Sequence, residues 1–284
     1  YGYNRDLHSC PTRRSSDLLF VFGKKAFVNI DRLEEMAEYP EPPQLDSPSR
    51  LDAVKEIEFR EVSFTYPGRE EKALEGVSFK LRRGERLGII GPVGSGKSTL
   101  IKVLLGLLPP QGGTVELNGQ GLHLLDKASL AEKTGYVPQE ALLFSGTLRD
   151  NVEFAVEGCS DELFDQSVRI AQMSEEIESF AEKSKTLVGQ RGISLSGGQK
   201  QRMAIARAVA GKPELMLFDD ITASLDAANE ERLMGELDNL SRDLTILIVS
   251  HRLSTLQYVD RILFLDKGRV QGFGTHEEDR KSVV

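Results

Sequence analysis

At 284 residues, 39% hydrophobic and 28% charged, the chain can bury a full globular core of one or two domains. Its net charge of −8, with the basic residues scattered, offers no nucleic-acid-binding stripe. Two cysteines, Cys10 and Cys159, are too few for a disulfide framework and lack metal-ligand spacing, and no apolar run reaches the roughly 18 residues of a membrane span.

The chain opens on YGYNRDLHSCPTRRSSDL, which resembles one translated frame of a sequencing-library adapter, YGDHRDLHSFPTRRSSDL, at fifteen of eighteen positions. Arg13, Arg14 and Asp17 also interrupt any signal-peptide core. The last six residues, Asp279 to Val284 (DRKSVV), match the reverse complement of the same adapter. Residues 1–18 and 279–284 are therefore expected to be foreign to the gene, with a natural segment from Leu19 to Glu278. Each end carries one net positive charge, so that segment carries −10.

Residues 19–52 read as a connection. The apolar LFVFG leads into KKAFVNIDRLEEMAEY, where Phe27, Ile30, Leu33 and Ala37 recur at helical spacing, as in the tail of a longer helix. Pro40, Pro42, Pro43 and Pro48 then forbid helix and place a boundary near residue 50. Over 53–278 short apolar runs (IEFREVSF, RLGII, LMLF, TILIVS) alternate with amphipathic stretches. That alternation predicts an α/β domain with a largely parallel central sheet. The stretch 147–211 has helical patterning and no convincing buried strand, as an inserted helical lobe would.

The chemistry begins at Gly91, Pro92, Val93, Gly94, Ser95, Gly96, Lys97, Ser98 and Thr99, a full G-x-x-x-x-G-K-[ST] match between the strand RLGII and the helix TLIKVLLG. Glycines let such a loop turn its backbone N–H groups onto phosphates, and the following helix N-terminus adds partial positive charge. Lys97 is expected at the β- and γ-phosphates of ATP, and the Ser98 hydroxyl on Mg²⁺. Downstream, LMLFDD is a buried strand delivering Asp219, a second candidate Mg²⁺ ligand, at its C-terminal end.

Leu195-Ser196-Gly197-Gly198-Gln199, followed by KQRMAIARAVA, resembles the signature of the ATP-binding cassette (ABC) family. The resemblance covers about residues 54–278. It implies a P-loop NTPase of the ABC ATPase fold: a RecA-like core, an N-terminal antiparallel β subdomain and an inserted α-helical subdomain. It also implies a head-to-tail dimer in which the signature of one cassette covers the γ-phosphate held by the other. Tyr66 in FTYPG resembles the aromatic that stacks on adenine. Gln139 in YVPQE resembles the glutamine linking γ-phosphate and metal to the membrane domain, Asp226 in ASLD the aspartate crossing the dimer interface, and His251 in IVSHRLS the histidine contacting the γ-phosphate.

The RLEEMAEYPEPP linker and the segment LFSGTLRDNV are similar to those of exporters whose membrane domain precedes the cassette in one polypeptide. That resemblance implies an upstream transmembrane domain and a place on the cytoplasmic face of the plasma (inner) membrane, with this segment itself soluble. TLVGQRG resembles a further exporter motif, except that Gln190 stands where the family usually has Glu. ABC ATPases acting on DNA ends or ribosomes share the phosphate and signature motifs but lack the linker and this loop.

After Asp219 the family places a glutamate that polarises the attacking water; here it is Asp220. The side chain is shorter by one methylene, about 1.5 Å, enough to spoil a hydrogen bond to an in-line water. The resemblance to the Asp-bearing half of heterodimeric exporters implies slow hydrolysis at this chain's own site. Its intact signature would complete a competent site on a different subunit.

Overall fold

The computed structural model describes residues 47–156, 158–189, 193–221, 227–240, 243–250 and 256–275. Most of the 19–52 connection, Gln190, Asp226, His251 and both adapter-like ends lie outside the described residues. From Pro48 onward the described residues belong to one compact unit.

The unit opens with strands β1 (Glu56–Phe64), β2 (Leu74–Arg82) and β3 (Arg86–Ile90), then helix α1 (Lys97–Leu104). Strands β4 (Gly112–Leu117) and β5 (Gln120–Gly121) precede α2 (Lys127–Lys133) and β6 (Thr134–Val137). A helix-rich stretch follows, with β7 (Gly146–Thr147), α3 (Leu148–Glu153), α4 (Asp161–Ile170), α5 (Ser174–Ser179), β8 (Leu187–Val188) and α6 (Gly197–Ala210). The chain then returns through β9 (Leu215–Asp219), α7 (Ala227–Leu240), β10 (Thr245–Val249), β11 (Arg261–Asp266) and β12 (Arg269–Gly274).

Six strands form the central sheet in the order β12-β11-β3-β10-β9-β6. All neighbours pair parallel except β12, which closes one edge antiparallel to β11. A separate antiparallel sheet, β2-β1-β4-β5, carries the aromatic pair Phe59 and Phe79, cross-strand partners with ring centroids 4.6 Å apart. The expected mixed α/β architecture with an antiparallel β part and a helical part is the one observed.

All five residues of β9 and of β10 are buried. Helices and the second sheet cover both faces of the central sheet, which is why these strands read as unbroken apolar runs. Strand side chains alternate in direction, and the core divides accordingly. Met216, Phe218, Ile246 and Ile248 join the cluster with α3, α4 and α6, whereas Leu215, Leu217, Leu247 and Val249 join that of α1 and the antiparallel sheet.

The helical stretch departs from expectation in one respect: β7 and β8 pair antiparallel within it, Gly146 opposite Val188 and Thr147 opposite Leu187. Two residues per strand are too few for period-2 alternation to show in the sequence.

Candidate nucleotide site

Strand β3 ends at Ile90, and the chain turns through Gly91–Gly96 into α1. Gly91 and Gly96 have φ of 151° and 103°. A Cβ at Gly91 would lie 1.9 Å from the Leu265 carbonyl oxygen, and one at Gly96 2.3 Å from that of Ala73, so backbone is packed where a side chain would go. The Gly268 amide also donates to the Ser95 carbonyl at 3.0 Å, pinning the loop to the β11–β12 turn. Gly96 is the N-cap of α1 and supplies no side-chain cap, and the first turn has no acidic residue. Amides at such a start lack intrahelical acceptors and suit an anion. Val93 is at the loop tip, 92% exposed, and Ser95 is buried beneath it.

Lys97 is the first residue of α1, and its Nζ donates to the carbonyls of Gly91 (2.8 Å) and Pro92 (2.7 Å), with Ser95 Oγ at 3.4 Å. Burial pushes its pKa below the ordinary lysine value, opposed by the charges of Asp220 and Asp219. Ser98 Oγ donates to Asp219 Oδ1 at 2.9 Å. Asp219 is the buried last residue of β9. Burial raises its carboxyl above the usual range, against the Ser98 hydrogen bond and the charges of Lys102 and Lys97. The Tyr136 phenol, on neighbouring β6, is pushed up to about 12 by burial and then by the Asp219 charge. The donor set fits Mg²⁺, because hydroxyl, carboxylate and carboxamide oxygens are hard ligands.

Asp220 follows with φ 52°, in the left-handed region, and its amide donates to the Val249 carbonyl at 3.1 Å. That turn brings its Oδ2 to 3.5 Å from Gln139 Nε2, a long contact across the mouth of the sheet between β6 and β9. Tyr66 joins from the antiparallel part: its hydroxyl lies 3.3 Å from Thr99 Oγ1, and its ring meets Phe64 edge-on at 5.0 Å. Tyr66, the phosphate loop, Gln139, Asp219 and Asp220 are thus one neighbourhood, at the carboxyl ends of parallel strands where α/β sheets bind ligands.

The signature residues form a separate cluster. Ser196 is the N-cap of α6 in a full capping box: its Oγ accepts from the Gln199 amide at 3.2 Å, and Gln199 Oε1 accepts from the Ser196 amide at 3.0 Å. The Gln199 carboxamide oxygen is thereby engaged within its own helix start. Ser196 and Gly197 are exposed, and buried Leu195 anchors the turn from below. Ser-x-x-Gln is itself a capping-box pattern, so this geometry was visible in the letters.

A polar set that motif reading did not find lies along the same helix: Gln201 and Arg207, with Asn151 of α3. All three lie inside the segments KQRMAIARAVA and LFSGTLRDNV, but nothing in the letters gave them a joint role.

A phosphate loop and a capped Ser-Gly-Gly-Gln helix start, carried on this central sheet and helical insert, define an ABC ATPase domain. The family model described as ABC transporter matches residues 74–223. The chain is 41% identical over 226 residues to mouse ATP-binding cassette sub-family B member 10, mitochondrial, covering 78% of this chain and 32% of that protein. It is 37% identical over 263 residues to the Bacillus subtilis ABC transporter ATP-binding protein YfiB, covering 92% of this chain and 45% of that one. A bacterial Atm1-family ABC exporter solved with ATP bound superposes with a TM-score of 0.82 at 31% identity, covering 92% of this chain and 46% of the exporter. The chain therefore belongs to the ABC transporter family, as a nucleotide-binding domain homologous to bacterial and eukaryotic exporters. It spans about a third of the mouse relative and under half of the other two. Among the described residues no helix is long and apolar enough to cross a membrane.

Proposed function

We propose that this chain binds ATP with Mg²⁺ and hydrolyses it as the motor domain of an ABC exporter, in the slower half of an unequal pair. One observation carries the reading: Lys97, Ser98, Asp219 and Asp220 converge beside the uncapped start of α1. Lys97 would exchange the Gly91 and Pro92 carbonyls for the phosphates of ATP, which the backbone N–H groups of residues 93–99 would wrap, while Tyr66 would stack on adenine. Ser98, Asp219 and Gln139 would hold Mg²⁺, which neutralises charge on the β- and γ-phosphates. Asp220 and His251 would orient the attacking water. Ser196, Gly197, Gly198 and Gln199, with Asp226, would close over ATP held by a second cassette in a head-to-tail dimer. Closure and reopening of that dimer would drive an upstream transmembrane domain at the cytoplasmic face of the membrane.

The unequal-pair part rests on Asp220. One methylene less reach at a water-orienting carboxylate can cost about 100-fold in rate. Asp220 has φ 52°, in the left-handed region that aspartate enters more readily than most residues other than glycine. The test is Asp220→Glu in the 284-residue chain. Phosphate release is expected to rise tenfold or more, with ATP·Mg²⁺ affinity unchanged. Equal rates in the two proteins refute slow hydrolysis at this site. Purification of the full gene product only as a self-pair refutes the heterodimer.

A further inference from the structure

Arg207 sits in the last turn of α6, the helix that Ser196 opens. Arg207 is half-buried, and burial lowers its pKa. Nε donates to the Asn151 carbonyl (2.9 Å), Nη2 to Asn151 Oδ1 (2.8 Å) and Nη1 to the Leu142 carbonyl (3.1 Å), and the fork lies 4.8 Å above the Phe144 ring. Asn151, 1% exposed, relays the grip. Its Oδ1 accepts from the Phe144 amide at 2.8 Å, and its Nδ2 donates to the carbonyls of Phe144 and Thr147 at 3.0 Å each. Nearer the start of the helix, buried Gln201 donates Nε2 to the Pro138 carbonyl at 2.9 Å.

These contacts share one target, the segment from Pro138 to Asn151, which contains Gln139. Between β6 and β7 that segment has no regular structure of its own. Part of its irregular backbone is held by side chains, Gln201 and Arg207 from α6 at Pro138, Leu142 and Asn151, and Asn151 itself at Phe144 and Thr147. The helix does not need Arg207 for its own packing, since Met203, Ile205, Ala206 and Val209 already fill its core face. A planar five-donor fork holds two carbonyls and a carboxamide in one geometry, which the single ammonium of lysine cannot reproduce.

We propose that Arg207, with Gln201 and Asn151, is a positioning residue that latches segment 138–151 to the signature helix, so that the two move as one body. This rests on the ATP-binding reading above: a displacement at the Ser196 end of α6 would then reach Gln139 and Phe144 together.

The experiment is amide hydrogen exchange on the 284-residue chain and on Arg207→Lys, with and without ATP·Mg²⁺, with nucleotide affinity measured in the same samples. Without nucleotide, Arg207→Lys is expected to speed exchange at the Phe144 amide tenfold or more while amides of β3 and β10 stay within twofold. With nucleotide, protection of 141–147 and of 199–207 is expected to change together in the original chain. In the variant the loop's response is lost at unaltered affinity. Loop exchange that stays put, or that rises only by the factor seen in β3 and β10, overturns the latch. Should Arg207→Lys not fold, the original chain decides alone: the Phe144 amide and the α6 amides must open with the same urea dependence, and an independently opening loop overturns the proposal. If the original chain fails to bind ATP, the ATP-binding reading falls, while the nucleotide-free exchange still decides the latch.

Discussion

Asp219 is held at a cost to the nucleotide-free fold. Its carboxyl is buried at the end of β9, and burial lifts its pKa above the usual range despite the Ser98 hydrogen bond. A carboxyl raised in the folded state makes the ionised form the disfavoured one. Stability is therefore lost as pH rises from the unfolded value through the folded one, and the penalty is fully present above both. Asp219→Asn keeps an oxygen for Ser98 and removes the charge. The nucleotide-free chain is expected to melt at a higher temperature at pH 7, with the gain shrinking as pH falls through the carboxyl's folded value, while Mg²⁺-dependent tightening of ATP binding disappears. Melting curves at several pH values, with titrations of ATP with and without Mg²⁺, check both halves. Part of this scale was legible beforehand: the phosphate loop and the carboxylate ending an apolar strand were expected at one site, and Ser98 Oγ lies 2.9 Å from Asp219 Oδ1. The left-handed turn at Asp220 was not, because a carboxylate after an apolar strand looks the same in the letters whichever way its backbone bends.

Among the secondary-structure elements, α6 does two jobs with one sequence: its Ser196 end is a capping box, and its body packs Met203, Ile205 and Val209 into the helical core. Because the cap satisfies a helix amide that would otherwise lack a partner, Ser196→Ala is expected to destabilise the chain by about 1 kcal/mol. Urea unfolding would register that as a lower midpoint at unchanged slope. Strands β3, β9 and β10 were readable because both of their faces are buried. Arg207 was not, since a charged residue in an apolar helix reads first as a defect, and only the fold shows that Leu142, Phe144 and Asn151 come to meet it. The β7–β8 pairing lay below the length at which periodicity carries information.

For the molecule as a whole, the exposed apolar side chains are not spread evenly. Leu142 (79%), Phe144 (48%), Phe154 (68%), Leu187 (55%) and Ile193 (40%) remain open to solvent, and several are tied to one another. The Phe144 and Phe154 rings are 4.3 Å apart, Leu187 pairs with Thr147, and the Ile193 amide donates to the Leu187 carbonyl. A grouping of this kind marks a surface suited to being covered, and one of its members, Phe144, lies in the LFSGTLRDNV segment that resembles the membrane-domain-facing loop of exporters. The net charge of −8 opposes collapse onto copies of the same chain but does not remove the apolar contact. Replacing Leu142 and Leu187 together by serine takes away two members that are more than half exposed and belong to no ring pair. That double variant is expected to stay soluble at several-fold higher concentration, with stability within about 0.5 kcal/mol of the original per site and with unaltered ATP affinity. Light scattering across a concentration series, with urea unfolding and nucleotide titration on the same preparations, checks it. A matching loss of stability would mean that these side chains pack into the fold and do not await a partner.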